Sequence, residues 1–152
     1  PLVGEVKELK YVKDVVCAEA DKLIKDAGSD MHYKVGTMIE IPRAALTADA
    51  IANEAEFFSF GTNDLTQYLL AMDRQNPNLA PFCDPHHPAV LRAIRQTVER
   101  AHQAGCTVGI CGELAADEAL TEAFLRLGVD ELSVAPSRIL PLREKIRSLT
   151  LG

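Results

Sequence analysis

The sequence lacks any apolar run long enough to cross a membrane. A helix that spans a bilayer needs about 20 consecutive apolar residues, and the apolar runs of this chain are much shorter. We also find no signal peptide ahead of the first predicted helix. These absences predict a cytoplasmic protein that does not insert into membranes.

The sequence also lacks an excess of positive charge and paired cysteines. Its 16 basic residues face 22 acidic ones, which gives a net charge of −6. Nucleic-acid binding depends on clustered Lys and Arg, so we expect no nucleic-acid partner. The cysteines at positions 17, 83, 106 and 111 form neither a CxxC pair nor a zinc ligand set. We therefore expect free thiols in a reducing cytosol.

Several catalytic motifs are missing as well. There is no GxxxxGK[ST] phosphate loop, GxGxxG fingerprint, GxSxG elbow or HExxH helix, which argues against an autonomous nucleotide-binding or hydrolase domain. At 152 residues, 47% hydrophobic and 25% charged, the chain has the composition of one folded domain. Its opening, Pro1–Gly4, has no Met and almost no strand, so we interpret the chain as a fragment of a larger polypeptide.

Strand-like and helix-like segments alternate along the whole chain. Strands are predicted at 35–39, 57–60, 107–111 and 131–135, with a stub at 1–3. Helices are predicted at 5–27, 43–53, 63–72, 87–103, 117–127 and 138–149. Alternation of this kind requires parallel strands joined by helical crossovers. About five strand–helix units predict either a small open α/β sheet or the C-terminal part of a (β/α)8 barrel.

Two acidic residues follow two consecutive predicted strands. Glu40 ends the run Met38–Ile39, and Asp64 comes shortly after Phe57–Phe60. Neighbouring parallel strands lie about 4.8 Å apart, so these carboxylates can converge on one small volume. Mg²⁺ favours one or two carboxylates together with water and substrate oxygens. The pattern predicts a Mg²⁺ site formed by Glu40 and Asp64.

Other reactive groups are predicted at the same edge of the sheet. Asn63 lies beside Asp64, and Cys111 ends the third full strand. The glycine turns at Gly61 and Gly112 offer backbone N–H groups. Arg74, ten residues beyond Asp64, is a candidate clamp for an anion that reaches back over Asp64.

Each assignment has a structural alternative. Taken singly, Glu40 and Asp64 could be carboxylates at helix starts that the positive N-terminal end of the helix dipole stabilises. Cys111 could be a small buried apolar residue, as we expect for Cys17 and Cys106. Arg74 could pair with Asp73 or Asp84 on the surface.

The residues resemble the phosphoenolpyruvate-utilising phosphotransferase family over essentially the whole chain. The most specific segments are Gly36–Ala45 (GTMIEIPRAA) and Phe57–Gln67 (FFSFGTNDLTQ). Residues 1–67 are most similar to the pyruvate phosphate dikinase branch. Residues 68–149 are more similar to the Enzyme I branch of the sugar phosphotransferase system, to which we assign the chain in preference. The resemblance implies the C-terminal part of a (β/α)8 barrel that binds phosphoenolpyruvate or pyruvate.

The resemblance also implies roles for individual residues. Glu40 and Asp64 would bind Mg²⁺, and Asn63 with the backbone of Gly61 and Thr62 would hold the phosphate or carboxylate of phosphoenolpyruvate. Two further roles follow in the same way. Arg74 would contact the phosphate, and Cys111 would deliver a proton to C3 of the enolate.

Other parts of the family's machinery do not occur in these 152 residues. The family takes phosphate-binding arginines from earlier strands, and its acceptor is a phosphohistidine on a separate domain. We therefore expect the isolated chain to lack phosphotransfer. The family barrel commonly forms dimers, so a homodimer is expected. A non-catalytic dimerisation or structural module is the alternative from another class.

Overall fold

The computed structural model describes residues 2–151, and its centre is a parallel sheet of four strands in the order β1-β2-β3-β4. The strands are β1 Thr37–Ile39, β2 Phe57–Gly61, β3 Thr107–Cys111 and β4 Glu131–Ser133. Each strand pairs with the next one in the chain, for example Phe60 with Ile110. All carboxyl ends of the strands therefore lie along one edge of the sheet.

Helices connect the strands and cover the sheet. The helices are α1 Val6–Asp26, α2 Pro42–Leu46, α3 Ala48–Ala52, α4 Thr62–Leu70, α5 Pro88–Gln103, α6 Glu118–Leu127 and α7 Ile139–Ser148. Short 3-10 turns cover Glu113–Ala116 and Pro136–Arg138. Parallel strands in chain order with helical crossovers are the arrangement of a segment of a (β/α)8 barrel. The predicted α/β class with parallel strands is confirmed.

The core lies between the sheet and α5. Phe58, Phe60, Val108 and Ile110 alternate along β2 and β3 and are buried. They share one hydrophobic cluster with the apolar face of α5. Alternate residues of a strand point to the same face of the sheet. This apolar face packs against the apolar stripe of α5, and that packing fixes the positions of the strand ends.

Several boundaries predicted from sequence are wrong. β1 begins at Thr37 rather than at 35, and β4 ends at Ser133 rather than at 135. Residues 2 and 3 of the stub expected at 1–3 pair with no other strand among the described residues, and Pro1 lies outside them. The single helix predicted over 43–53 is divided at Thr47, where φ is −115°. The Thr47 hydroxyl donates a hydrogen bond of 2.8 Å to the Arg43 carbonyl. This local side-chain bond competes with regular helix geometry.

Helix α1 forms as predicted, but most of its apolar stripe faces outward. Leu9 is buried, whereas Val12, Val16 and Leu23 are 46%, 47% and 64% exposed. Cys17, expected to be buried, is partly exposed, and Cys106 is buried as expected. Within residues 2–151, no helix has the length and apolar character that crossing a bilayer requires.

Candidate active site at the carboxyl ends of the strands

Glu40 lies directly after β1 and is 3% exposed. The strand register pairs Ile39 with Phe60, which places Glu40 beside Gly61. Its Oε1 accepts a 2.6 Å hydrogen bond from the Leu2 backbone N–H. Among the described residues, Glu40 takes part in no ion pair. A buried carboxylate without a cationic partner is costly, so this position suits a bound cation.

Gly61 allows β1 and β2 to end in close contact. A Cβ atom at this position would lie 2.6 Å from Glu40 Oε2 and 2.8 Å from Glu40 Cβ. No other side chain fits there without displacing the carboxylate. The glycine is therefore required by the approach of Glu40 and not by its own backbone angles.

Asp64 and Arg74 form an ion pair at this edge. Arg74 Nη2 lies 3.2 Å from Asp64 Oδ1, and both side chains are about one-third exposed, at 37% and 35%. The backbone N–H of Arg74 donates to Gln67 Oε1 at 3.1 Å. Neither surface alternative for Arg74, pairing with Asp73 or Asp84, occurs among the described ion pairs. The loop after α4 thus folds back over the start of that helix.

Cys111 ends β3 directly opposite Gly61. Its thiol donates to the Phe60 carbonyl, with Sγ 3.0 Å from the oxygen, a bond that only the protonated thiol can make. The residue is partly exposed, unlike the buried Cys106. The Cys111 side chain is therefore held at the sheet edge while remaining in contact with solvent.

The first turn of α4 carries three predicted substrate-binding residues, Thr62, Asn63 and Asp64. The first N–H groups of a helix lack partners within the helix and attract anions. Asn63 is partly buried and faces the turn at Gly112, where a built Cβ would lie 3.7 Å from Asn63 Oδ1. Sequence reasoning missed one part of this turn: the buried Thr62 hydroxyl donates to the Cys111 carbonyl at 3.0 Å.

The structure brings the predicted residues together in three groups. Glu40 adjoins Gly61, Thr62 contacts Cys111, and Asp64 pairs with Arg74. In the part of the chain that the structure describes, no three His, Cys, Asp or Glu side chains form a metal-binding group. A metal ion bound by Glu40 and Asp64 would therefore need water or substrate oxygens as its remaining ligands. The Leu2 amide and the Thr62 hydroxyl act over long sequence separations, so no local pattern indicates them.

The amino ends of the same strands carry a different polar group. Asp130 Oδ2 accepts hydrogen bonds from the Val108 N–H at 2.7 Å and pairs with His102 Nε2 at 2.9 Å. Partial burial raises the pKa of Asp130, but the Val108 and His102 bonds outweigh it and hold the pKa below its usual value. Burial, with a smaller contribution from Asp130, raises the pKa of the nearby Cys106 thiol to about 11.

A family model described as "PEP-utilising enzyme, PEP-binding domain" matches residues 1–151 of this chain. The chain belongs to this family. The edge at which Glu40, Gly61, Thr62 and Cys111 meet is thus part of a PEP-binding domain, and the family resemblance predicted from Gly36–Ala45 and Phe57–Gln67 is confirmed.

Curated relatives come from both expected branches of the family. A phosphoenolpyruvate-protein phosphotransferase of Bacillus subtilis is 44% identical over 152 residues, covering 99% of this chain and 26% of that protein. A pyruvate, phosphate dikinase of Clostridium symbiosum is 46% identical over 154 positions, covering 91% of this chain and 18% of that protein. The chain therefore spans about a quarter or less of the length of these relatives.

A solved structure shares the fold. An HpcH/HpaI aldolase/citrate lyase family protein from Burkholderia cenocepacia matches with a TM-score of 0.51 and 22% identity, covering 73% of this chain and 39% of that one. At this identity the likeness concerns the fold alone.

Proposed function

We propose that this chain is the part of a phosphotransferase that binds phosphoenolpyruvate and pyruvate. The longer polypeptide would move a phosphoryl group between phosphoenolpyruvate and a histidine on another domain. The observation that carries the proposal is the meeting of Glu40, Gly61, Thr62 and Cys111 at one sheet edge in a PEP-binding domain.

Mg²⁺ is proposed as the cofactor, held by Glu40 and Asp64. The support is the burial of Glu40 without a basic partner among the described residues. When bound, the ion would neutralise charge on the phosphate and the enolate. The ion pair with Asp64 holds Arg74 at the same edge of the sheet. The N–H groups at the start of α4 are available for the phosphate or carboxylate of phosphoenolpyruvate.

Cys111 is proposed as the proton donor to C3 of the enolate. As the phosphoryl group leaves phosphoenolpyruvate for the histidine, the enolate carbon takes the thiol proton and becomes the methyl group of pyruvate. The thiolate then recovers a proton from solvent. The support is that the thiol donates a hydrogen bond to the Phe60 carbonyl and lies beside the Gly61 turn. A positioned general acid contributes about 10²–10⁴-fold to a rate.

The longer polypeptide that contains these residues allows a direct test. With Mg²⁺ and phosphoenolpyruvate in D₂O, it should form a phosphohistidine and release pyruvate carrying one deuterium at C3, detected by NMR. Cys111→Ala should lower this rate by about 100-fold or more, as expected for loss of a general acid. Cys83→Ala is the matched control and should change little. Unchanged turnover in Cys111→Ala would contradict the proposed role.

The Enzyme I branch is proposed in preference to the dikinase branch. Its support is coverage, since the Bacillus subtilis phosphotransferase aligns with 99% of the chain and the dikinase with 91%. A nucleotide-binding domain in the longer polypeptide would instead indicate a dikinase. By itself, the 152-residue chain should transfer no phosphoryl group.

Self-association is proposed as a second property of the chain. The exposed apolar stripe of α1 supports it, together with the position of β1 and β4 at the edges of the sheet. Light scattering after size-exclusion chromatography should give twice the 16.6 kDa mass of the chain. A monomer at all concentrations would contradict this proposal.

A further inference from the structure

Thr62 carries a buried hydroxyl at the junction of β2 and α4. The residue is 1% exposed and is the first residue of α4. A buried hydroxyl requires a hydrogen-bond partner, and Thr62 Oγ1 finds it in the Cys111 carbonyl at 3.0 Å. The bond joins two positions that are 49 residues apart in sequence.

Cys111 is thus held at two atoms, one hydrogen-bonded to β2 and the other to the first residue of α4. Its Sγ donates to the Phe60 carbonyl, and its own carbonyl accepts from Thr62. The first bond holds the side chain and the second holds the peptide that follows it. Together they fix the direction in which the thiol points from the end of β3.

Gly112 shows how closely Thr62 packs against that peptide. Its φ is +89°, and a Cβ atom built on it would lie 2.9 Å from Thr62 Oγ1. The turn after Cys111 therefore follows the surface of the Thr62 side chain. Movement of one would require movement of the other.

We propose that Thr62 is a positioning residue that sets the placement of the Cys111 thiol through the Cys111–Gly112 peptide. Its importance for catalysis rests on the function proposed above, in which Cys111 protonates C3. General acids depend on placement within a fraction of an ångström. Loss of the hydroxyl should therefore loosen the thiol and reduce its efficiency as a proton donor.

Alkylation of the folded 152-residue chain measures the placement of Cys111 directly. Iodoacetamide rates at individual cysteines are read by peptide mass spectrometry, with Cys83 as the internal reference. Thr62→Val removes the hydroxyl, and Thr62→Ala does so without adding a methyl group against Gly112. Both should raise the Cys111 rate several-fold relative to Cys83, whereas Thr62→Ser should restore the wild-type rate.

A matched control separates this effect from general loosening. Thr97 is also fully buried, and its hydroxyl donates to the Ala45 carbonyl, a bond that joins α5 to α2 away from Cys111. Thr97→Val should leave the Cys111 rate unchanged. Equal rates in Thr62→Ala and wild type would overturn the proposal, as would an equal rise in Thr97→Val.

Kinetics of the longer polypeptide separate the positioning role from the proposed function. Thr62→Ala should lower kcat for C3 protonation by roughly ten- to a hundredfold, the cost of a misplaced group, with KM for phosphoenolpyruvate little changed. A wild-type kcat in Thr62→Ala would overturn the positioning role alone. If wild type itself produces no C3-deuterated pyruvate, the proposed function fails, and the alkylation rates still support or overturn the placement of Cys111 by Thr62.

Discussion

The two ends of the same strands use polar residues in opposite ways. At the amino ends, the acidic Asp130 is matched by His102 and by the Val108 N–H. At the carboxyl ends, Glu40 is more deeply buried and has a single backbone amide as its described partner. The first arrangement satisfies its charge within the protein. The second leaves charge to be satisfied from outside, as binding sites do.

Glycine substitutions offer the largest test of this contrast. Gly112 and Gly105 both have positive φ, +89° and +76°, at opposite ends of β3, but only Gly112 has an atom within 3 Å of a built Cβ. Gly112→Ala should cost about 2–4 kcal/mol of unfolding free energy, because overpacking adds to left-handed strain. Gly105→Ala should cost about 1–2 kcal/mol, the strain alone. Urea denaturation measures both, and equal losses would contradict the close approach.

Metal binding should distinguish the buried carboxylate from exposed ones. In the 152-residue chain, Glu40→Gln should weaken Mg²⁺ binding at least about tenfold, a loss that removing even an outer partner of a metal ligand produces. Asp64→Ala should weaken it as well. Asp49→Asn, on the exposed face of α3, is the control and should bind as wild type does. Calorimetric titrations that are the same in all four proteins would remove the metal assignment.

Acid stability should test the Asp130 pair at the amino ends of the strands. The pKa of Asp130 is lower in the folded chain than its usual value. The contribution of ionised Asp130 to the free energy of unfolding is therefore present above the unfolded pKa of about 3.9. It is lost as the pH falls through the lower pKa of the folded chain. Because Asp130 is 44% exposed, Asp130→Asn should cost less than about 1 kcal/mol at pH 7.

The same variant should lose less stability than wild type as the pH falls from 5 to 3. Urea denaturation at several pH values measures the difference. Parallel curves for the two proteins would show that the Asp130 pair makes no pH-dependent contribution.

Local patterns predicted the sheet and the edge on which the candidate site lies. Strand β3 has the predicted bounds 107–111, because a short apolar run between turn residues is a local signal. The division at Thr47 was not predicted, since it depends on one side chain competing for a backbone carbonyl. That Arg74 reaches back over Asp64 was predicted, but the ion pair between them was not, because the sequence does not show how the residues after α4 turn. The bond between Thr62 and Cys111 exists only once β2 and β3 are paired.

The strand order β1-β2-β3-β4 has a consequence for how the chain folds. Every new strand meets its partner in the strand synthesised just before it, so assembly needs no distant segment to arrive first. These pairings are not local in sequence, since Phe57 of β2 pairs with Thr107 of β3, and parallel pairing of this kind is slow to form. The order nevertheless suits sequential formation on the ribosome, because each strand can pair as soon as it has been synthesised. The same order allows a further strand–helix unit to pair with either edge strand, β1 or β4, without changing the existing strand pairs.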